Sequence, residues 1–203
     1  MQLLANTTSP YVRIARVAMI EKGLNVEPTI VDPWADDPRL RAANAATRVP
    51  TLITDDGVPI AESLLIVQWL EHTRPAPASP SLLGPDAAGV LSRAGMALGV
   101  IDAAVHTIII RKVTAPVLFD ETPVGLRRRR TMDEGMQRLD SLAASGIISS
   151  TGAPTLDAIA AVVAIDYLRF RFDGQAWLPA MRALDALSAA LRQRASFSQT
   201  MPR

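Results

Sequence analysis

Glu62 and Ser63 stand side by side where a turn-rich stretch gives way to an apolar run, within the segment Arg48 to Leu70, RVPTLITDDGVPIAESLLIVQWL. The run Leu64 to Leu70 is uniformly apolar and long enough for a buried helix, with Ser63 able to cap its first turn. The first N–H groups of a helix are unpaired and carry partial positive charge, which suits a carboxylate. Ser63 adds a hydroxyl donor and Glu62 an acidic partner for an ammonium, so the pair matches the free amino-acid end of a ligand. Val49 precedes Pro50 and is pushed towards extended geometry. Its N–H and C=O are then available to a passing peptide in the manner of an added strand. These residues together describe a peptide-sized ligand that ends in an amino acid.

The elements that must position them follow from the surrounding pattern. Pro50 to Thr54 reads as a strand, Asp55-Asp56-Gly57 as the tight turn of a two-residue hairpin, and Val58 to Ala61 as the returning strand. Upstream, Gln2 to Ala5 is a short buried strand and Asn6 to Ser9 a polar loop. Pro10 opens a helix that runs to about Lys22, with Arg13, Arg16 and Lys22 set against Tyr11, Ile14, Ala15, Ala18 and Met19. Gly23 ends it, and Val26 to Val31 is a second strand, parallel to the first because a helix crosses between them. A loop through Trp34 and Asp36-Asp37-Pro38 leads to a short helix, Arg39 to Ala43. Four prolines between His72 and Pro85 mark a linker. Everything after it is helical in pattern, with helices expected at Ala87 to Thr114, Pro123 to Ser145, Thr155 to Phe172 and Ala176 to Arg192, and a loosely held tail from Ala195 to Arg203.

This order, βαβ then α then ββα with Val-Pro-Thr-Leu before the hairpin and Glu-Ser after it, resembles the glutathione S-transferase family over essentially the full length. The resemblance implies an α/β thioredoxin-like N-terminal domain, residues 1–74, a linker, 75–86, and an all-α C-terminal domain, 87–203. It implies that Pro50 is cis, that Val49 pairs with the cysteinyl backbone of glutathione, and that Glu62 and Ser63 hold the γ-glutamyl end. Arg48, just before Val-Pro, is a candidate for the glycyl carboxylate. A homodimer is likewise implied by the family and not by any pattern in the residues.

Such an enzyme must hold the glutathione sulfur as thiolate, since the thiol is a poor nucleophile and titrates near ~8.5 when free. A hydroxyl donor at a helix N-terminus lowers that value by stabilising the anion. Ser9-Pro10-Tyr11 supplies both features and matches the family's Ser/Cys-Pro-aromatic motif, which assigns Ser9 as thiolate-stabilising donor. A simple helix cap is the competing role for Ser9, and Asn6, Thr7 and Thr8 are alternative donors in the same loop. Tyr11 lines the site or packs beside it. Serine in place of cysteine favours conjugation or thiol-assisted isomerisation over thiol-disulfide exchange.

Other residues carry weaker signals. Asp102 and His106, four apart on an apolar helix, share a face and are read as a packed polar pair, with the second-substrate pocket or a subunit contact as the alternative. No third ligand follows at matching spacing, which argues against a metal. Arg127 to Arg130 point around a helix axis at about 100° intervals and cannot form one basic stripe. In Pro154-Thr155-Leu156-Asp157 the acid falls one place short of a capping box, because Ala158 occupies that position.

Composition bounds the rest. The 203 residues carry a formal net charge of +1, no cysteine, and about half are apolar. Disulfides, thiol nucleophiles and thiolate metal sites are excluded for this chain, and nothing in the charge asks for nucleic acid or an anionic membrane. The opening MQLLANTTSP lacks a basic segment followed by an apolar core, and no uninterrupted apolar run reaches the ~20 residues of a membrane span. The expectation is a soluble, cytoplasmic, homodimeric detoxification enzyme that binds glutathione and attacks a small hydrophobic electrophile held between the domains. The alternative is a non-catalytic relative that binds a ligand or a protein. An isomerase or dehalogenase would differ only in the second-substrate pocket.

Overall fold

Leu3, Leu4 and Ala5 are almost inaccessible to solvent, and the strand they form, β1 (Gln2–Ala5), lies inside a four-stranded sheet. The computed structural model describes residues 1–114 and 119–202. After β1 come α1 (Pro10–Glu21), β2 (Pro28–Ile30), α2 (Pro38–Ala43), β3 (Thr51–Ile53), β4 (Pro59–Ala61) and α3 (Ser63–Thr73). The strands are ordered β2-β1-β3-β4. β1 and β2 are parallel, as the helical crossover requires, while β3 runs antiparallel to both β1 and β4. Val12, Ile14, Ala15, Val17 and Ala18 of α1 and Ile66, Val67 and Leu70 of α3 are buried, and the two helices pack on each other.

The hairpin differs from expectation in its turn. Thr54 N–H donates to Val58 C=O at 3.0 Å, so three residues intervene rather than two, and of these only Gly57 has positive φ, at 82°. A three-residue loop of this kind needs its left-handed residue last, where the glycine stands. The Thr54 hydroxyl also accepts from Val58 N–H at 3.0 Å, closing the turn.

A second group of helices comprises α4 (Ala87–Val113), a 3-10 turn (Phe119–Glu121), α5 (Pro123–Ala144), α6 (Leu156–Phe172) and α7 (Arg182–Leu191). α6 is buried along nearly its whole length and packs against α4 and α7. Met132, Met136 and Leu139 give α5 a buried stripe. α4 is long and apolar enough, by length and composition only, to cross a membrane; here it packs against α5 and α6. α7 begins six residues later than expected, because Pro179 lies in the stretch before it and cannot continue a helical hydrogen-bond ladder. The Thr155 hydroxyl makes no capping bond. It donates to Asp157 at 2.5 Å, and the buried Asp157 in turn accepts from Arg93 of α4 at 2.6 Å, so an ion pair stands where the family's reciprocal cap would be.

The chain divides into two compact units, Met1–Leu82 with Arg194–Arg203, and Leu83–Gln193. The expected tail is therefore a correction: residues 195–202 are held against the first unit, while Arg203 lies outside the described residues. Ala195–Ser198 forms a short helix, α8, with Phe197 fully buried. Arg194 donates to the Glu21 carboxylate at 2.9 and 2.7 Å and Ser196 does so at 2.5 Å. Arg13, placed on a solvent face by its periodicity, is buried, and its guanidinium donates to Thr200 Oγ1 at 3.5 Å and Met201 Sδ at 3.2 Å. Lys22 is buried as well. Its ammonium meets Glu71 at 2.5 Å and Arg74 C=O at 2.9 Å, and Glu71 also accepts from Leu82 N–H at 2.9 Å. That contact binds the proline-rich stretch, up to Leu82, to the first unit.

Candidate functional site

The sheet register brings together three loops that are far apart in sequence. Leu4 of β1 lies across from Thr51 of β3, and Thr51 across from Ala61 of β4. Because β3 runs against its neighbours, the loop after β1 (Asn6 to Ser9), the Val49-Pro50 segment before β3 and the Glu62-Ser63 pair after β4 leave from one end of the sheet. Adjacent strands lie ~4.8 Å apart, so β1 and β4 are separated by about 10 Å. That is about the length of three extended residues.

Ser9 is the N-cap of α1, and its Oγ accepts from Val12 N–H at 3.3 Å. A hydroxyl that accepts keeps its own proton to donate, so capping and donation to a ligand are compatible roles. Among its neighbours, Thr8 spends its hydroxyl proton on Asn6 Oδ1 at 2.8 Å, and Asn6 Oδ1 also accepts from Thr8 N–H at 2.9 Å. Thr7 is exposed and Tyr11 is half-buried in the first turn of α1.

The Val49–Pro50 bond is cis, as the resemblance implies. Val49 packs its side chain against Leu4, Val31 and Leu40, and its main-chain groups have no backbone partner among the described residues. Two residues that sequence reasoning left unassigned, Asn44 and Thr51, bind this loop through the Arg48 carbonyl, which accepts from Thr51 Oγ1 at 2.8 Å and Asn44 Nδ2 at 3.2 Å. They belong to different elements, Asn44 to the end of α2 and Thr51 to the start of β3, so no period within one element flagged them.

Glu62, not Ser63, holds the N-cap position of α3, because its carbonyl accepts the first intrahelical bond, from Ile66 N–H at 3.1 Å. Ser63 is the first helical residue and is buried, and no side chain caps this end. The amides of Ser63, Leu64 and Leu65 therefore precede the helical ladder. Glu62 has φ 71° and ψ 128°, a conformation that a side chain with Cβ adopts only at a cost. Its exposed carboxylate lies 3.4 Å from Arg48 Nη1, so Arg48 meets the acidic member of the pair.

Tyr11 belongs to the first unit, Asp102 and His106 to the second, so no single unit gathers the three. Asp102 and His106 are both exposed, one turn apart on α4. Arg127 and Arg130 are exposed and Arg128 and Arg129 half-buried, the spread that a helical rotation imposes.

Comparison with known proteins finds relatives that share this fold over the full length. The glutathione S-transferase N-terminal domain family matches residues 8–73. The uncharacterized GST-like protein YibF of Escherichia coli K12 is 27% identical over 202 residues, covering 100% of this chain and 98% of its own. A glutathione S-transferase from Methylobacterium radiotolerans, solved in complex with glutathione sulfonate, superposes with a TM-score of 0.85 at 30% identity, over 99% of this chain and 94% of that one. Another from Methylobacillus flagellatus, solved with glutathione bound, gives a TM-score of 0.86 at 28% identity over 100% and 99% of the two chains. With a thioredoxin-like first unit, an all-helical second one and full-length likeness to these proteins, the chain belongs to the glutathione S-transferase family.

Proposed function

We propose that this protein is a glutathione transferase in which Ser9 holds the glutathione sulfur as thiolate for attack on a small hydrophobic electrophile. The observation that carries the reading is the convergence of three loops at one end of the sheet, spanning about the length of an extended tripeptide. In this reading the γ-glutamyl ammonium meets Glu62 and its carboxylate meets Ser63 and the first amides of α3. The cysteinyl main chain pairs with Val49. Arg48, drawn from its ion pair with Glu62, turns to the glycyl carboxylate.

The sulfur then lies at the start of α1. The Ser9 O–H donates to it and the helix dipole favours its charge, so the thiol gives up its proton to solvent at lower pH than when free. The thiolate forms a bond to the electrophilic carbon as the leaving group departs with its electron pair, and a bound, oriented thiolate lowers the entropic barrier. In this reading the protein works in the cytoplasm and forms a homodimer, and the exposure of Leu64 (41%) and Leu65 (52%) on α3 beside the site supports the homodimer. A conjugation assay with glutathione and an activated aryl halide tests the proposal. Ser9→Ala should lower kcat/KM roughly 10–100-fold, the worth of one hydrogen bond to a charged group. Wild-type rates no faster than the uncatalysed reaction would refute it.

A further inference from the structure

The Arg48 carbonyl is an unusual acceptor for a loop, because two side chains converge on it. Thr51, fully buried, donates its single hydroxyl proton there at 2.8 Å, and Asn44 donates from Nδ2 at 3.2 Å. The same Asn44 amide donates to Thr51 Oγ1 at 3.2 Å, so both of its N–H groups and the Thr51 hydroxyl are committed. Asn44 Oδ1 accepts from Ala46 N–H at 3.0 Å, and its carbonyl accepts from Thr47 N–H at 2.8 Å. Thr47 itself sits at φ 51°, an outlier for a β-branched residue. A conformation of this kind persists only where its surroundings over-determine it.

We propose that Asn44 and Thr51 are positioning residues for ligand binding, acting through the Val49 N–H. The peptide joining Arg48 to Val49 is trans, since the cis bond is the next one along. In a planar trans peptide the C=O and the following N–H point in opposite directions. Holding the Arg48 carbonyl inward against a buried hydroxyl therefore turns the Val49 N–H outward. The Val49 side chain, packed against Leu4, Val31 and Leu40, fixes the other rotation of the same residue. The outward N–H is a preset donor for a main-chain carbonyl of a peptide-like ligand, and its alignment is complete before the ligand arrives.

The inference rests on the glutathione reading, and glutathione is the probe. Affinity is measured by calorimetry at a temperature where melting curves show each protein folded, and the Val49 amide is followed by NMR. Thr51→Val keeps the shape and removes the hydroxyl. Asn44→Asp keeps the acceptor for Ala46 and removes both donors. Thr51→Ser restores the hydroxyl. Thr51→Val and Asn44→Asp should each raise the Kd for glutathione roughly tenfold and diminish the Val49 amide shift on binding, while Thr51→Ser stays within about twofold of wild type. KM for glutathione should rise with kcat little changed, because the sulfur contact at Ser9 is separate. Folded Thr51→Val or Asn44→Asp protein that binds with the wild-type Kd would overturn the inference. Should Thr51→Val fail to fold, Asn44→Asp, at a half-buried position, decides the matter. Wild-type protein that gives neither heat nor an amide shift with glutathione would overturn the underlying reading, and this inference with it, before any variant is compared.

Discussion

Glu62, the proposed partner of the glutathione ammonium, combines an exposed carboxylate with a costly backbone. A left-sided φ of 71° outside glycine is the sort of strain, of order 1–3 kcal/mol, that tends to accumulate where geometry serves a ligand. Here it turns the chain from β4 into α3, leaves the first amides of the helix uncapped and exposes a carboxylate beside them. Glu62→Gly separates the two contributions. Glycine accepts this φ freely but adds entropy to the unfolded chain, so the melting temperature should stay within about 3 °C of wild type. Glutathione affinity should fall about tenfold or more for want of the ammonium partner, and calorimetry beside a melting curve reads both. The Val49-Pro50 and Glu62-Ser63 pairs could be singled out in the sequence because each is a local chemical unit with a fixed neighbour. Asn44 and Thr51 were not, because their importance lies in one carbonyl that both reach in three dimensions.

At the scale of elements, α1 is held at both ends, by the Ser9 loop and by the returning chain terminus. Burial pushes the Glu21 carboxyl up, but hydrogen bonds from Arg194 and Ser196 and the Arg194 charge outweigh it, and the group titrates below the usual glutamate range. The Glu71 carboxyl is likewise pushed up by burial and brought down further by Lys22, Leu82 and Ser81. A carboxyl whose folded pKa is depressed contributes stability above its unfolded value, about 4.3, and loses it as pH falls through the folded value. Melting curves from neutral pH downward should show this loss for wild type below about pH 4.3. Glu21→Gln should be less stable at pH 7 by about 1–3 kcal/mol and flatter on the acid side. A variant with the wild-type acid limb would mean that the tail contact is not carrying charge. Element types, such as the helix opened by Pro10 and the hairpin before α3, were readable from periodicity and turn residues. The burial of Arg13 and Lys22 was not, because a helical wheel marks a charged residue as outward and gives no notice of partners about 50 or more than 180 positions away in the chain.

For the molecule as a whole, the division into units departs from simple succession along the chain. The last segment returns to the first unit, an outcome that composition could not announce, since ASFSQTMP has neither a long apolar run nor a strong period. Leu64 and Leu65 are exposed on α3 next to the candidate site, and a homodimer that covers them should be broken by Leu65→Glu. Sedimentation should show wild type as a dimer and the variant shifted to monomer, with circular dichroism unchanged because an exposed substitution costs the fold little. A monomeric wild type would remove that part of the account. The central claim is that a glutathione sulfur is held as thiolate at the start of α1, and the most direct measurement is a pH titration of the ultraviolet thiolate band of bound glutathione. Bound to wild type, the thiol should titrate clearly below its free value near ~8.5, and Ser9→Ala should return it towards that value. A bound thiol that titrates at the free value in wild-type protein, or is equally depressed without the Ser9 hydroxyl, would contradict the account.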